Sequence, residues 1–333
     1  MVQPLESRRI VIAGASSLLG AELKSLLEES RFAASDFRLV DEESVAGTLT
    51  EAGGEAAVIQ PVEEDSFDKA WLVFFAGSPV FTRTNLALAL RSGARIVDLS
   101  GELAGGDGSP WLPGLEQHAA PQLRTDGKTF TVPSAAAEIV IRLTLALGPL
   151  QLKSLAATAF RPVSAAGKSG IEELESQTGQ LLSFQNVGKE LFDTQVAFTL
   201  LDRYGPGSAQ KLESSLQLFR REVHAFLPSA SVQPALQLLH APVFYGAAVS
   251  SYAHLGKENT GERLLQALAG AGFAIQAGDS GPGNVSCAGE TVPQLAAPRP
   301  DPSADGVWWF WAAADNVRVP AANAVKLAER LLA

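Results

Sequence analysis

The sequence predicts an α/β protein, a doubly wound parallel sheet followed by an α+β domain, and three observations carry that reading. Short buried runs at Ile10 to Ile12, Trp71 to Ala76 and Arg95 to Leu99 alternate with stretches that place apolar residues at helical spacing. The first run leads through a turn of small residues, Gly14 to Gly20, into a helix. Beyond Lys168 the pattern changes to longer strands with flanking helices, as in an α+β domain.

The elements follow in order. Ile10 to Ile12 is the first strand and Ala21 to Leu27 the first helix. Phe37 to Val40 is the second strand, ending in Asp41-Glu42-Glu43, and Gly47 to Val62 holds one or two more, broken at Gly53-Gly54. Trp71 to Ala76 is a central strand. It ends in Gly77-Ser78-Pro79, which opens a helix from about Phe81 to Ser92, and Arg95 to Leu99 is the next strand. Ser100 to Gly127, rich in Gly and Pro, is an irregular connection. A strand near Lys128 to Val132 precedes a helix opened by Pro133-Ser134-Ala135 and running to about Leu147, and Leu152 to Phe160 is again a strand.

In the second half, the helix from Lys168 sets Ile171, Leu174, Thr178, Leu181 and Leu182 on one face. A helix at Glu213 to Phe226 is followed by strands at Val232 to Leu239 and Val243 to Tyr252. Gly256 to Ala269 is helical and Val307 to Ala312 a strand. The last helix, Pro320 to Leu332, has a proline in its first turn and an apolar stripe of Ala321, Ala324, Val325, Ala328 and Leu331.

Composition excludes several functions. The chain of 333 residues is 46% hydrophobic and 19% charged, which suits two compact domains rather than disorder. A net charge of −10 offers no basic face for nucleic acid or anionic lipid. No apolar run is long enough to span a bilayer and no secretory leader is visible, so a cytoplasmic protein is expected. The single cysteine, Cys287, rules out an intrachain disulfide. The four histidines, His118, His224, His240 and His254, lack metal-ligand spacing, and no metal is expected.

The strand, glycine turn and helix from Arg9 to Leu23 form a unit suited to a pyrophosphate, whose charge meets backbone amides at the helix start. Ser17 stands where a middle glycine would allow the closest approach. Asp41, some twenty residues beyond Gly20, can accept from the ribose 2′-hydroxyl of NAD and would repel the 2′-phosphate of NADP. The expected cofactor contacts are Gly14, Ser16, Ser17, Leu18, Gly20, Asp41 and Gly77, with Asn316. The competing readings are a βα turn that binds nothing and a solvated acidic loop.

The order of these parts resembles the aspartate-semialdehyde dehydrogenase family over nearly the whole chain. The matching residues are Gly14 to Gly20, Phe75-Ala76-Gly77, Ile96 to Ser100, Val132-Pro133-Ser134, Val163 to Gly167 with Gly170 to Leu174, Pro242 to Gly246, and Asp315 to Arg318. The resemblance implies a Rossmann-like cofactor domain, residues 1–134 with 315–333, to which the last helix returns. It also implies a catalytic and dimerisation domain, residues 135–314, and a homodimer, for which the Ile171 to Leu182 face is a candidate surface. The family's chemistry needs a cysteine thiolate, a histidine base, a glutamine, and arginines for carboxylate and phosphate.

Carried over residue by residue, that chemistry is missing. The nucleophile position is Ala135, the glutamine position Arg161, the substrate arginine position His240 and the base position Ala247, and the remaining arginine falls near Leu103 or Ala104. Ser134 and Ser164 are alternative nucleophiles without a visible base. Arg161 and Arg142 are alternative anion ligands or structural ion-pair partners. The resemblance therefore points to a family member that has lost the dehydrogenase reaction and serves as a binding or structural homodimer. An oxidoreductase working without a covalent intermediate and an NAD sensor acting on a protein partner stay open beside it.

Overall fold

A computed structural model describes residues 8–52, 55–114, 127–276 and 281–332. His118, Gly53-Gly54 and much of the Ser100 to Gly127 connection lie outside them. The chain divides into two compact units, Met1–Pro133 with Pro320–Ala333, and Ser134–Val319.

The first unit is built on seven parallel strands: β1 (Arg9–Ala13), β2 (Asp36–Asp41), β5 (Gln60–Pro61), β6 (Ala70–Phe75), β7 (Arg95–Asp98), β8 (Ser109–Pro110) and β9 (Thr129–Thr131). Their spatial order is β5-β2-β1-β6-β7-β9-β8. A separate antiparallel pair, β3 (Leu49–Ala52) and β4 (Glu55–Val58), lies between β2 and β5 in sequence. Strand alternation creates two cores. Ile10, Ile12, Leu72 and Phe74 pack with Leu23 and Leu27 of α1 (Leu18–Glu28) and with Ala321, Ala324 and Ala328 of α7 (Arg318–Leu332). On the other face, Val11, Val73 and Phe75 pack with Phe81 and Ala89 of α2 (Pro79–Arg91). Each fully buried large side chain contributes about 1.5–3 kcal/mol. Helices on both faces make the sheet doubly wound.

The second unit holds a mixed sheet in the order β11-β10-β12-β16-β14-β13, with β15 paired to β16. The strands are β10 (Ser154–Arg161), β11 (Ala235–His240), β12 (Ala247–His254), β13 (Ala274–Gln276), β14 (Gln294–Ala296), β15 (Arg299–Pro300) and β16 (Val307–Ala314). Helix α3 (Ala135–Leu147) packs on β10, β12 and β16 and against α5 (Leu212–Phe226) and α6 (Gly261–Gly270). Alternate residues such as Leu155, Ala157, Ala159, Val249 and Ala253 are buried. The opposite face carries partly exposed rings, Phe160 tilted toward Trp311 at 6.1 Å and Tyr252 edge-on to Trp309 at 5.7 Å.

Four expectations are corrected. Helix α1 starts at Leu18, because Ser17 caps it, and α6 starts at Gly261, because Thr260 caps it. The segment before β12 is a turn, with Gly246 at φ +85°, so that strand begins at Ala247. In α4 (Lys168–Leu182) the buried residues are Gly170, Glu173, Leu174 and Gln177, while Leu182 is 70% exposed. The apolar stripe is displaced because Gln177 tethers the segment beside it. Its amide donates to Gly188 O and Thr194 O and accepts from the Val196 and Ala197 amides. Glu173 accepts from the amides of Leu191 and Phe192.

Candidate functional site

The glycine turn of the first unit is shaped by its own packing. A Cβ on Gly14, at φ +90°, would lie 2.2 Å from Gly77 N, and one on Gly20 would lie 2.3 Å from Gly14 O. Glycine is therefore required at 14 and 20 whether or not a ligand is present. Ser17 is the helix N-cap; its hydroxyl accepts from Gly20 N at 2.8 Å and donates to Ala76 O at 2.9 Å. Asp41 is buried. Its carboxylate accepts from Ser16 N and from Glu42 N, each at 2.8 Å, so it anchors the turn, while Glu42 and Glu43 are exposed. The amides of Leu18 and Leu19, first in α1, have no hydrogen-bond partner among the described residues. They lie beyond the carboxyl end of β1, which neighbours β6 where the chain order of the sheet reverses. That is the place where open α/β sheets receive ligands.

Asn316 belongs to the second unit. Its side chain accepts from Gly246 N at 2.8 Å and meets Ser164 Oγ at 3.1 Å, joining two turns.

In the second unit, strand register gathers the positions that sequence picked out. Arg161 is paired with His240 in the parallel β10–β11 ladder. Phe160 is opposite Ala248 at the end of the antiparallel β10–β12 ladder; Arg161 is the next residue of β10, and Ala247, the first of β12, pairs with Ala314. Ala135 is the first residue of α3. Ser134, before it, is gripped by Glu222 of α5: the hydroxyl donates to Oε2 at 2.6 Å and the amide to Oε1 at 3.1 Å. Ser134, which sequence leaves without an adjacent histidine, thus has a carboxylate neighbour. Glu222 had no sequence signal beyond a charge among the buried positions of an amphipathic helix. Its bidentate hold on both the amide and the hydroxyl is a helix-start clamp, and no histidine among the described residues completes a nucleophilic relay there.

The only thiol is remote from such a role. Cys287 is fully buried, and burial, with the charges of Asp315 and Glu290, pushes it up to about 11. It is not a thiolate near neutral pH.

Tyr204, which sequence did not single out as part of this group, joins Arg161 to His240. Arg161 Nη1 donates to Tyr204 Oη at 3.4 Å, and Tyr204 Oη is 3.3 Å from His240 Nδ1. His240 Nε2 is 3.3 Å from Val196 O. A carbonyl only accepts, so Nε2 carries the proton, Nδ1 accepts, and the Tyr204 hydroxyl donates to it. Burial, with the Arg161 charge, lowers His240 to about 4, and burial raises Tyr204, so both are neutral. Phe192 lies 4.7 Å from the Tyr204 ring. The two arginines separate here: Arg142 pairs with Glu138 at 2.7 Å inside α3, while Arg161 has no carboxylate partner among the described residues.

Residues 9–121 match the family described as semialdehyde dehydrogenase, NAD binding domain, and residues 145–319 match semialdehyde dehydrogenase, dimerisation domain. The chain is 30% identical to a USG-1 protein homolog of Azotobacter vinelandii, over 97% of each chain. It is 25% identical to aspartate-semialdehyde dehydrogenase 2 of Vibrio cholerae, over 97% of each. Among solved structures it superposes on a probable aspartate-semialdehyde dehydrogenase from Pseudomonas aeruginosa with a TM-score of 0.85, at 25% identity over 99% of both chains.

Proposed function

The chain belongs to the semialdehyde dehydrogenase family, and from that premise we propose that it binds NAD at its glycine turn but lacks the family's thiol-dependent dehydrogenation. The observation that carries the second half is Ala135. A methyl group opens α3 where the chemistry requires a nucleophile, and a methyl group at Ala247 takes the place of the base. Cys287, buried and with its thiol pushed up to about 11, is no substitute.

The cofactor reading is supported by the match to an NAD-binding domain and by the two unpartnered amides of Leu18 and Leu19 at the positive end of an 11-residue helix. The negative charge of Asp41 at the end of β2 favours NAD over NADP. An oxidoreductase without a covalent intermediate would need an acid at the second unit's sheet end. Tyr204 is the phenol there, and its proton is directed to His240.

The dimerisation-domain match supports a homodimer. We assign its contact to the open sheet face bearing Phe160, Tyr252, Trp309 and Trp311, since the buried side of α4 is already taken up by residues 188–197 through Glu173 and Gln177.

Calorimetric titration of the purified protein with NAD and NADP tests the first half: micromolar NAD binding and weaker NADP binding are expected, and binding of neither overturns it. Turnover of a semialdehyde by the wild-type protein would overturn the second half. In sedimentation, Trp309→Arg is expected to shift the protein from dimer toward monomer.

A further inference from the structure

The outer edge of β2 is only half closed. Its even-numbered residues face β1: Asp36 N donates to Arg8 O, and Val40 O accepts from Gly14 N. Phe37, Leu39 and Asp41 therefore turn their backbone groups to the other side, where β5 pairs only with Val40 and Asp41. The reason lies in Ile59, the residue before β5. It donates to Thr48 O and accepts from Gly47 N, which draws the chain away from β2 and into the β3–β4 hairpin. Phe37 N, Phe37 O and Leu39 N are left with no hydrogen-bond partner among the described residues. Leu39 is buried, and backbone polar groups at such a position are normally paired.

Between this edge and Ala57 and Val58 of β4 lies a cavity of about 390 Å³. Its two faces differ. Phe37, Leu39 and Ala57 belong to the apolar core on one face of the sheet. Asp36 and Arg38 alternate with them and point to the other face. There Arg9 is paired with Asp36 at 2.7 Å and Arg38 with Asp65 at 3.5 Å, and in each pair the carboxylate is the more exposed partner. A strand laid in the gap would continue the line of β5. Its backbone would meet the two unpartnered N–H groups and the carbonyl, with alternate side chains on Phe37 and Ala57 and the others turned to Asp36 and Asp65. Four residues at about 3.3 Å each, or about 13 Å, match the open stretch from Asp36 to Leu39. Because β4 stands across the gap, it admits one extended segment and not the sheet edge of a second folded copy.

We propose that this edge of β2 receives, by strand addition, a short extended peptide of a partner protein that alternates apolar and basic residues. The cofactor turn is not involved, since Asp41 stays paired with β5.

The test is fluorescence anisotropy of the full-length protein with a labelled acetyl-Val-Lys-Val-Lys-Val-amide peptide. Saturable binding by wild type is expected. Phe37→Pro removes an unpartnered N–H and no ladder bond, and should weaken binding about threefold to tenfold, the range for one net hydrogen bond. Asp65→Lys changes an exposed side chain, should weaken binding by a similar factor, and serves as the readout if the proline variant fails to fold. The peptide with proline as its central residue, and the peptide with glutamate in place of lysine, should both bind more weakly. In hydrogen exchange, the bound peptide should slow the amides of Phe37 and Leu39. No saturable binding, equal affinity for wild type and either folded variant, tighter binding of the glutamate peptide, or protection elsewhere than residues 36–39 would overturn the proposal. So would protection of these amides that grows with protein concentration without peptide, which would assign the gap to a second copy.

Discussion

The glycine turn of the first unit and the sheet end of the second both keep their backbone frame, but they keep it for different reasons. In the turn, the residues themselves are dictated by contact. Gly14 and Gly20 have backbone atoms where a Cβ would stand, Ser17 caps the helix, and the Asp41 carboxylate holds the amide of Ser16. At the sheet end, the frame is set by ladder hydrogen bonds, which any side chain can make. Positions 161 and 240 stand side by side carrying Arg and His, and 247, at the start of the neighbouring strand, carries Ala. Where geometry demands a residue, the residue and the fold go together. Where only the backbone is demanded, the chemistry is free to change under an unchanged fold.

That contrast can be broken at its first term. Gly20→Ala would put a methyl group against the backbone of Gly14 and Ala15 and should cost about 3 kcal/mol or more. A drop in the thermal unfolding midpoint of several degrees checks it; an unchanged midpoint would mean that the turn relaxes, and that its glycines serve a ligand instead.

The second unit has an equally rigid support away from the ladder. Gln177→Ala leaves the buried amides of Val196 and Ala197 and the carbonyls of Gly188 and Thr194 without their partner, and should cost about 3 kcal/mol in denaturant unfolding. It should also loosen the segment that carries Phe192, read as faster hydrogen exchange at residues 188–197.

His240 makes the sheet end sensitive to acid. Its folded value, about 4, lies below the ordinary 6.5, so the unfolded chain binds the proton more readily. Its contribution is therefore fully present above pH 6.5 and is lost as the pH falls through 4, with a total of order 3 kcal/mol. Buried Asp98 acts in the opposite direction, because its value is raised by burial. The measurement is accordingly the difference in unfolding free energy between wild type and His240→Gln across pH 4 to 7, expected to slope for the former and flatten for the latter.

The smallest effect belongs to Ser17→Ala. Loss of the N-cap should cost about 1 kcal/mol. NAD affinity should change little if the Leu18 and Leu19 amides are the contacts, and a large loss would show that the Ser17 hydroxyl, rather than the backbone, meets the phosphate.

Much of this was legible in the chain. Strands such as Ala70–Phe75, apolar on both faces, and stripes such as Ala321, Ala324 and Ala328 can satisfy their burial only in a layered sheet-and-helix arrangement, so element order and fold class followed from periodicity. Positions 135, 161, 240 and 247 are singled out by the resemblance of the flanking motifs alone, and of these the ladder pairs 161 with 240. Short strands such as Gln294–Ala296 and Arg299–Pro300 carry too few residues for a pattern. The buried face of α4 was not legible, because Glu173 and Gln177 read as solvent-facing until their backbone partners are known.

By itself the sequence determined the alternation of strands and helices, the glycine turn, the absence of a disulfide, and the methyl groups at Ala135 and Ala247. Those are properties of residue type and spacing along the chain. Only the tertiary structure decided that Asp41 turns to the amide of Ser16, that Glu222 grips Ser134, that Arg142 pairs with Glu138, and that Tyr204 stands between Arg161 and His240. Each of these depends on the direction of a side chain toward a partner 4 to 88 residues away in sequence, and hydrogen bonds and ion pairs form only at contact distance.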